Sequence, residues 1–147
     1  MAENMGPKGE EGKFVRHGGD EWSSFPITDA FACATRGIAN AFITQRNFKI
    51  HAVFAVLAII LGFLLGISES GWLAVVLCIT VVFSLETVNT AIEAIVDMTS
   101  PEWNRLAKVA KDCAAGAVLI SAVGSLVIAA IVYIPPIVAL VSQAMAA

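Results

Sequence analysis

Charged residues are scarce in this chain. Asp, Glu, Lys and Arg make up 14% of its 147 residues, whereas hydrophobic residues make up 58%. Together with a mean hydropathy of +0.80, this composition excludes an ordinary soluble domain. The apolar residues also fall in long runs, which are typical of membrane-spanning segments.

Two common kinds of site are missing as well. The three cysteines are scattered and show no CxxC or Cys/His metal spacing: Cys33, Cys78 and Cys113. Neither a disulfide framework nor a cysteine metal site is therefore predicted. Gly12-Lys13 does not complete a phosphate-binding loop, because Pro7 stands where the first glycine is required and Phe14 where Ser or Thr is required. A soluble nucleotide-binding domain of that type is excluded.

The apolar runs predict an all-α integral membrane protein with three transmembrane helices and an N-terminal amphipathic surface helix. Residues 1–24 are polar and Gly-rich and are expected to form a disordered tail. The membrane domain is expected over residues 25–137, followed by a short C-terminal tail at 138–147. The predicted elements are a surface helix at 27–44 and spans at about 48–67, 72–97 and 113–134.

Local signals suggest where these elements begin and end. Pro135-Pro136 is expected to end the third span, because proline cannot continue a helix. Ser68 to Gly71 is expected to be a tight turn, and Ser100-Pro101-Glu102 a helix start. The aromatic residues near span ends are interpreted as interfacial anchors: Trp72, Trp103 and Tyr133.

The distribution of basic residues predicts the orientation. Six of the nine precede or open the first span, and three lie between the second and third spans. The turn at 68–71 and the residues after the third span have none. The positive-inside rule then places the N-terminus and the 98–111 loop in the cytoplasm, and the C-terminus outside.

Four polar residues form a stripe on the second span, called here the polar stripe: Glu86, Asn89, Glu93 and Asp97. At about 100° per residue they lie within about 80° of one another around the helix. A carboxylate at membrane depth costs roughly 2.5–3.5 kcal/mol on insertion scales. Such residues persist when something pairs with them, and carboxylate and amide oxygens suit a hard cation such as Mg²⁺.

Basic residues near the same membrane face suggest a chemistry for the stripe. Lysines can hold phosphate oxygens, and acids, an amide and lysines together suit phosphoryl transfer. In a simpler interpretation, Glu93 and Asp97 form structural ion pairs with Lys108 and Lys111. That is plausible for Asp97 near the helix end, but it does not account for the deeper Glu86.

Two other classes of function compete with an enzyme. Intramembrane acids are typical of oligomeric ion or proton pathways too, but the first and third spans have almost no polar interior. The acids also stop at mid-span, which favours a pocket open to one side. A purely structural assembly protein would not hold Glu86 at such a cost.

His51 is interpreted as a polar residue flanking a helix.

The stripe also carries a resemblance. The segment from Glu86 to Asp97 resembles the signature of the prokaryotic diacylglycerol kinase family, small three-span lipid kinases. Ala107 to Leu119 is similar to the family's second block. Arg46 to His51 resembles the segment before the first span in the undecaprenol kinase branch. The resemblance covers about residues 25–134.

The resemblance implies roles for individual residues. Glu86 matches the proposed catalytic base. Asn89 and Glu93 match positions that bind Mg·ATP, with Glu93 as a metal ligand. Lys111 and Asp112 match a pair near the nucleotide. Arg36 is assigned to nucleotide binding as well, and Asp97 and Lys49 to the surroundings of the site. The family also implies a homotrimer with shared active sites, with ATP as co-substrate and Mg²⁺ as cofactor.

One position departs from the family. A glutamate that helps to hold metal usually precedes the Arg-Asn-Phe segment, and here that position is Gln45. Glutamine offers a neutral carbonyl oxygen, so we expect weaker metal affinity or compensation by a neighbour. The expected substrate is undecaprenol, with diacylglycerol as the alternative. The expected location is the cytoplasmic membrane.

Overall fold

The computed structural model describes residues 27–146, so the predicted tail at 1–24 lies outside the described residues. Within that range the chain forms helices and no strands: α1 (Ile27–Thr44), α2 (Arg46–Leu65), α3 (Glu69–Thr99) and α4 (Arg105–Ala146). The last three are each long and apolar enough to cross a membrane. The all-α membrane fold is therefore confirmed.

A single residue separates α1 from α2. Gln45 has an extended backbone, with φ −92° and ψ 122°, and stands at the N-cap of α2. Phe48, which is buried, packs edge-on against Phe42 at 5.9 Å between ring centroids. It also packs against Phe83 at 4.7 Å, with the two rings tilted by 44°. These ring contacts hold the junction of α1 and α2 against α3.

The turn between α2 and α3 lies earlier than the predicted 68–71. Gly66 ends α2 in the left-handed region, with φ +59°, which glycine adopts without a steric penalty. Ser68 is the N-cap of α3, since its hydroxyl accepts a hydrogen bond from the Gly71 backbone N–H at 3.2 Å. The turn is therefore 66–68 rather than the predicted 68–71, whereas the limits of the membrane spans stay a prediction.

The predicted helix start at Ser100 was also wrong. The Ser100 N–H still bonds to the Val96 carbonyl at 2.8 Å and so belongs to the end of α3. The start of α4 is capped by Asn104, whose Oδ1 accepts from Leu106 N at 2.8 Å and from Ala107 N at 3.3 Å. Asn104 thus does what Ser100 was expected to do.

Helix α4 does not end at the proline pair. It continues through Pro135 and Pro136 to Ala146, so the predicted helix end at the prolines was wrong. The limit of the third membrane span and the division into a domain and a tail at 138 stay predictions. Proline removes a helical N–H, but the residues that follow are apolar and exposed. In a membrane their backbone groups find partners only within a helix, which favours resumption of the helix after the prolines.

Tyr133 links α4 to α2. It was expected to be an interfacial anchor, but only 7% of it is exposed, and its hydroxyl donates a hydrogen bond to the Ala58 carbonyl at 2.7 Å. A hydroxyl in apolar surroundings needs such a partner. The anchor assignment was therefore wrong for Tyr133.

Near the turn between α2 and α3, Trp72 packs against α2. Its ring lies 4.7 Å from that of Phe63 between centroids. A Cβ added at Gly62 would come within 2.9 Å of the Trp72 ring. The lack of a side chain at Gly62 thus allows the two helices to approach closely at this point.

Replacing Gly62 with alanine is expected to destabilise the protein. The added methyl group would push the Trp72 ring away, and overpacking of this kind costs about 1–3 kcal/mol. Gly124→Ala is the matched control, because a Cβ at Gly124 would meet no atom within 4 Å among the described residues. Unfolding in mixed micelles should rank Gly62→Ala below Gly124→Ala, and equal stability of the two would contradict this packing argument.

Candidate active site

Helix α3 turns the polar stripe toward the other helices. Glu86 is 1% exposed and Asn89 is 5% exposed, and they are the buried polar residues of the described chain. Val75 and Val82 are buried on the same helix, so one face of α3 changes from apolar to polar along its length. That change sets the depth of the site.

Glu86 is buried without a complete set of partners. Its Oε2 has no hydrogen-bond partner within residues 27–146. His51 of α2 and Glu93 of α3 lie close enough to act on it electrostatically. A buried carboxylate oxygen with a free lone pair can accept a proton from a hydroxyl group. The geometry therefore suits a general base.

Glu93 lies between two amide side chains. Its Oε2 accepts from Gln45 Nε2 at 3.0 Å, and its Oε1 accepts from Asn89 Nδ2 at 3.1 Å. Asn89 Oδ1 is buried and has no partner in the described part of the chain. The structure thus brings together three of the predicted site residues, and 48 positions separate Gln45 from Glu93.

The remaining charged site residues form ion pairs near the end of α3 and the start of α4. Lys111 Nζ pairs with Asp97 Oδ1, and Lys108 Nζ pairs with Asp112 Oδ2. Asp97 thus forms an ion pair of the kind that the structural interpretation predicts, while no ion pair of residues 27–146 involves Glu93. Exposed pairs of this kind contribute little to stability, so a ligand can displace them at low cost.

Two predicted residues are not joined to the stripe. Lys49 Nζ donates to the Ile43 carbonyl at 2.8 Å, and the exposed Arg36 contacts Cys33 Sγ at 3.2 Å. The hydrogen bonds and ion pairs found between positions 27 and 146 do not connect either residue to Glu86, Asn89 or Glu93. Both remain predictions.

An apolar groove that the sequence did not reveal lies between α2, α3 and α4. It encloses about 460 Å³ and runs from His51 and Phe83 to Tyr133. Its other walls are almost wholly apolar and include Phe54, Leu61, Ile79 and Leu126. His51, interpreted as a helix-flanking residue, lines one end of it. Its sequence position could have indicated this, because His51 lies inside the apolar run of α2, three residues after Phe48.

The donors in the site suit a divalent cation only in part. Residues 27–146 contain no group of three or more His, Cys, Asp or Glu side chains placed to hold a metal. Glu93 supplies one carboxylate, and the unpartnered Asn89 Oδ1 is an oxygen donor beside it. Mg²⁺ is commonly held by one or two carboxylates together with substrate phosphates. The residues therefore fit a cation that arrives with a nucleotide.

Comparisons with known proteins identify the family of this chain. Residues 32–133 match the family model described as prokaryotic diacylglycerol kinase. The chain is 44% identical over 106 residues to an undecaprenol kinase of Bacillus subtilis, covering 72% of this chain and 86% of the relative. It is 39% identical over 121 residues to a diacylglycerol kinase of Synechocystis sp., covering 81% of this chain and 69% of the relative.

A third relative is more distant. A diacylglycerol kinase of Escherichia coli K12 is 30% identical over 95 residues, covering 65% of this chain and 78% of the relative. The matched region contains all three long apolar helices in whole or in part, together with the polar stripe. The chain therefore belongs to the prokaryotic diacylglycerol kinase family and is a membrane lipid kinase.

Proposed function

We propose that this protein transfers the γ-phosphate of Mg·ATP to the hydroxyl group of a lipid alcohol, undecaprenol, and so makes undecaprenyl phosphate. The observation that carries the proposal is the buried Glu86, whose Oε2 lacks a partner within the described residues, near the end of an apolar groove. A proton acceptor beside a groove for hydrocarbon suits a lipid with a single reactive hydroxyl.

The groove receives the hydrocarbon chain next to the hydroxyl. Along α2 it extends from His51 to Leu61, a distance of about 15 Å at 1.5 Å per residue. His51 marks the polar end, within electrostatic range of Glu86. The hydroxyl group then lies at that end, while the remainder of a long chain continues into the bilayer.

Glu86 accepts the proton of the lipid hydroxyl as that oxygen attacks the γ-phosphorus. Because no residue between 27 and 146 donates a hydrogen bond to its Oε2, this carboxylate oxygen stays available to the substrate. His51, on the neighbouring helix, orients the hydroxyl toward Glu86. General-base assistance of this kind typically contributes a factor of 10²–10⁴ in rate.

Glu93, Asn89 and Gln45 hold the divalent cation, and Lys111, Asp112 and Arg36 bind the nucleotide. When bound, Mg²⁺ neutralises charge on the phosphate oxygens. Lys111 exchanges Asp97 for a phosphate oxygen, which is favourable because the Lys111–Asp97 pair is largely solvent-exposed. Lys49 is near enough in sequence to Gln45 to join the phosphate site once it leaves the Ile43 carbonyl.

The proposed setting is the cytoplasmic membrane, with the N-terminus and the active site on the cytoplasmic side and the C-terminus outside. The placement of basic residues supports this orientation. The proposed assembly is a homotrimer with shared active sites. The partial exposure of Glu93 supports sharing, since a neighbouring subunit could reach it.

Undecaprenol is preferred to diacylglycerol for two reasons. Of the relatives compared, the undecaprenol kinase has the highest identity, and Arg46 to His51 resembles that branch. Diacylglycerol remains the alternative substrate. An ion pathway is disfavoured, because the buried polar residues of the described chain are confined to Glu86 and Asn89 on a single helix.

Glu86→Gln is expected to lower phosphate transfer at least 100-fold, because the amide cannot take up the hydroxyl proton. The variant should remain folded and bind an ATP analogue normally. Glu69→Gln is the matched control, since Glu69 is exposed at the opposite end of the same helix. Transfer of labelled phosphate in mixed micelles measures both, and a near-normal rate for Glu86→Gln would exclude the base assignment.

The choice of lipid is tested with undecaprenol and diacylglycerol offered in parallel to the purified protein with labelled Mg·ATP. We expect strong labelling of undecaprenol and at least tenfold weaker labelling of diacylglycerol. The opposite preference would assign the chain to the diacylglycerol branch. If neither lipid is labelled by intact protein, the proposed function is wrong.

A further inference from the structure

The hydrogen bonds around Glu93 carry an inference about how this protein takes up its cation. An ionised carboxylate can only accept hydrogen bonds, so the NH₂ groups of Gln45 and Asn89 must face it. Their contacts, at 3.0 Å and 3.1 Å, occupy one lone pair on each carboxylate oxygen. Glu93 is thereby stabilised before any cation arrives.

The same arrangement leaves an acceptor without a partner. Asn89 is 5% exposed, and with its NH₂ on Glu93 its Oδ1 is buried and unpartnered among residues 27–146. Buried polar groups are nearly always satisfied, so this oxygen points to a ligand that the helices do not supply. Because Asn89 Nδ2 occupies the side that faces Glu93, this oxygen points away from the carboxylate, and the two can share a ligand only after the amide turns over.

An amide can exchange the two roles with little movement. Its oxygen and nitrogen have nearly the same size and position, so a half-turn about the last side-chain bond replaces a donor by an acceptor. After that turn Gln45 and Asn89 present oxygens beside Glu93. A hard cation would then find one carboxylate and two neutral oxygens.

The total charge of Glu93, Gln45 and Asn89 decides when a cation can bind. Asp97, one turn further along α3, is already paired with Lys111. The described chain brings no group of three or more His, Cys, Asp or Glu side chains together as a metal site. A single free carboxylate is weak compensation for the dehydration of a divalent cation, whereas phosphate oxygens add the missing negative charge.

We propose that Gln45 and Asn89 form an amide clamp, which donates to Glu93 in the cation-free protein and turns over to supply oxygen ligands when a divalent cation arrives with nucleotide phosphates. The amide clamp rests on the proposed function for its nucleotide and cation. The amide clamp predicts that the cation and the nucleotide bind interdependently, because the neutral amide of Gln45 does not supply a second negative charge.

The test uses Mn²⁺ as the probe and records the electron paramagnetic resonance signal of free and bound ion with the full chain in micelles. Without nucleotide, the unmodified protein should bind Mn²⁺ at least tenfold more weakly than Gln45→Glu, which adds a second carboxylate. Gln143→Glu is the matched control, because Gln143 is exposed near the end of α4; it should behave like the unmodified protein.

A second variant tests the oxygen ligand directly. Gln45→Met keeps the length of the side chain but has no amide oxygen, so the signal of Mn²⁺ bound with a non-hydrolysable ATP analogue should weaken at least fivefold. Either of two results would overturn the amide clamp: nucleotide-free binding by the unmodified protein as tight as in Gln45→Glu, or an unchanged ternary complex in Gln45→Met.

The kinase assay separates this inference from the proposed function. Nucleotide-dependent Mn²⁺ binding without phosphate transfer to either lipid would contradict the proposed function and support the amide clamp. Normal transfer with nucleotide-independent Mn²⁺ binding would overturn the amide clamp alone. Because binding is read from the ion itself, neither conclusion depends on turnover.

Discussion

The burial of one carboxylate, that of Glu86, constrains the packing of the helices around it. Its 1% exposure depends on α2 and α4 packing over one face of α3. That packing in turn depends on the phenylalanine contacts around Phe48 and on the hydrogen bond from Tyr133 to Ala58. The proposed catalytic group is thus also the residue whose environment the fold must maintain at the greatest cost.

The surroundings of α3 change from apolar to polar along its length. Toward its start, apolar residues line the groove with those of α2 and α4. At its middle lies the buried Glu86, and further on Glu93 accepts hydrogen bonds from two amides. The last turns carry an ion pair open to solvent. The proposed sites for the lipid hydroxyl, the cation and the nucleotide therefore follow one another in that order along one helix.

Local patterns predicted the parts of this arrangement that depend on local physics. The apolar spacing between Ile27 and Thr44 predicted α1 with its limits, and the spacing of the polar stripe predicted that its members share one face. Helix ends were less predictable, because Ser100 and Asn104 are both good caps and only the packed chain selects between them. Pro135 and Pro136 were misjudged, since a local rule against proline was outweighed by the lack of other backbone partners in apolar surroundings.

Contacts between distant segments could not be read from the sequence at all. The bond between Gln45 and Glu93 depends on how α1, α2 and α3 meet, and the burial of Tyr133 depends on the approach of α4 to Ala58. The resemblance indicated that position 45 matters, but the donor contact from its amide nitrogen required the fold. Likewise, the spacing of the stripe predicted acids on one face of α3. Tertiary packing distinguishes them within residues 27–146: Glu86 Oε2 has no hydrogen-bond partner, Glu93 accepts from two amides, and Asp97 pairs with Lys111.

The continuation of α4 to Ala146 has a consequence for the shape of the protein in the bilayer. From Cys113 to the end of the helix the chain is almost wholly apolar, which amounts to about 50 Å at 1.5 Å per residue. A hydrocarbon core is about 30 Å thick, so this helix exceeds it by far and is subject to hydrophobic mismatch. Tilting or bending relieves the mismatch, and the two absent N–H groups at Pro135 and Pro136 make that point the easiest place to bend. The final turns would then lie along the membrane–water boundary at that end of α4 and anchor the helix there.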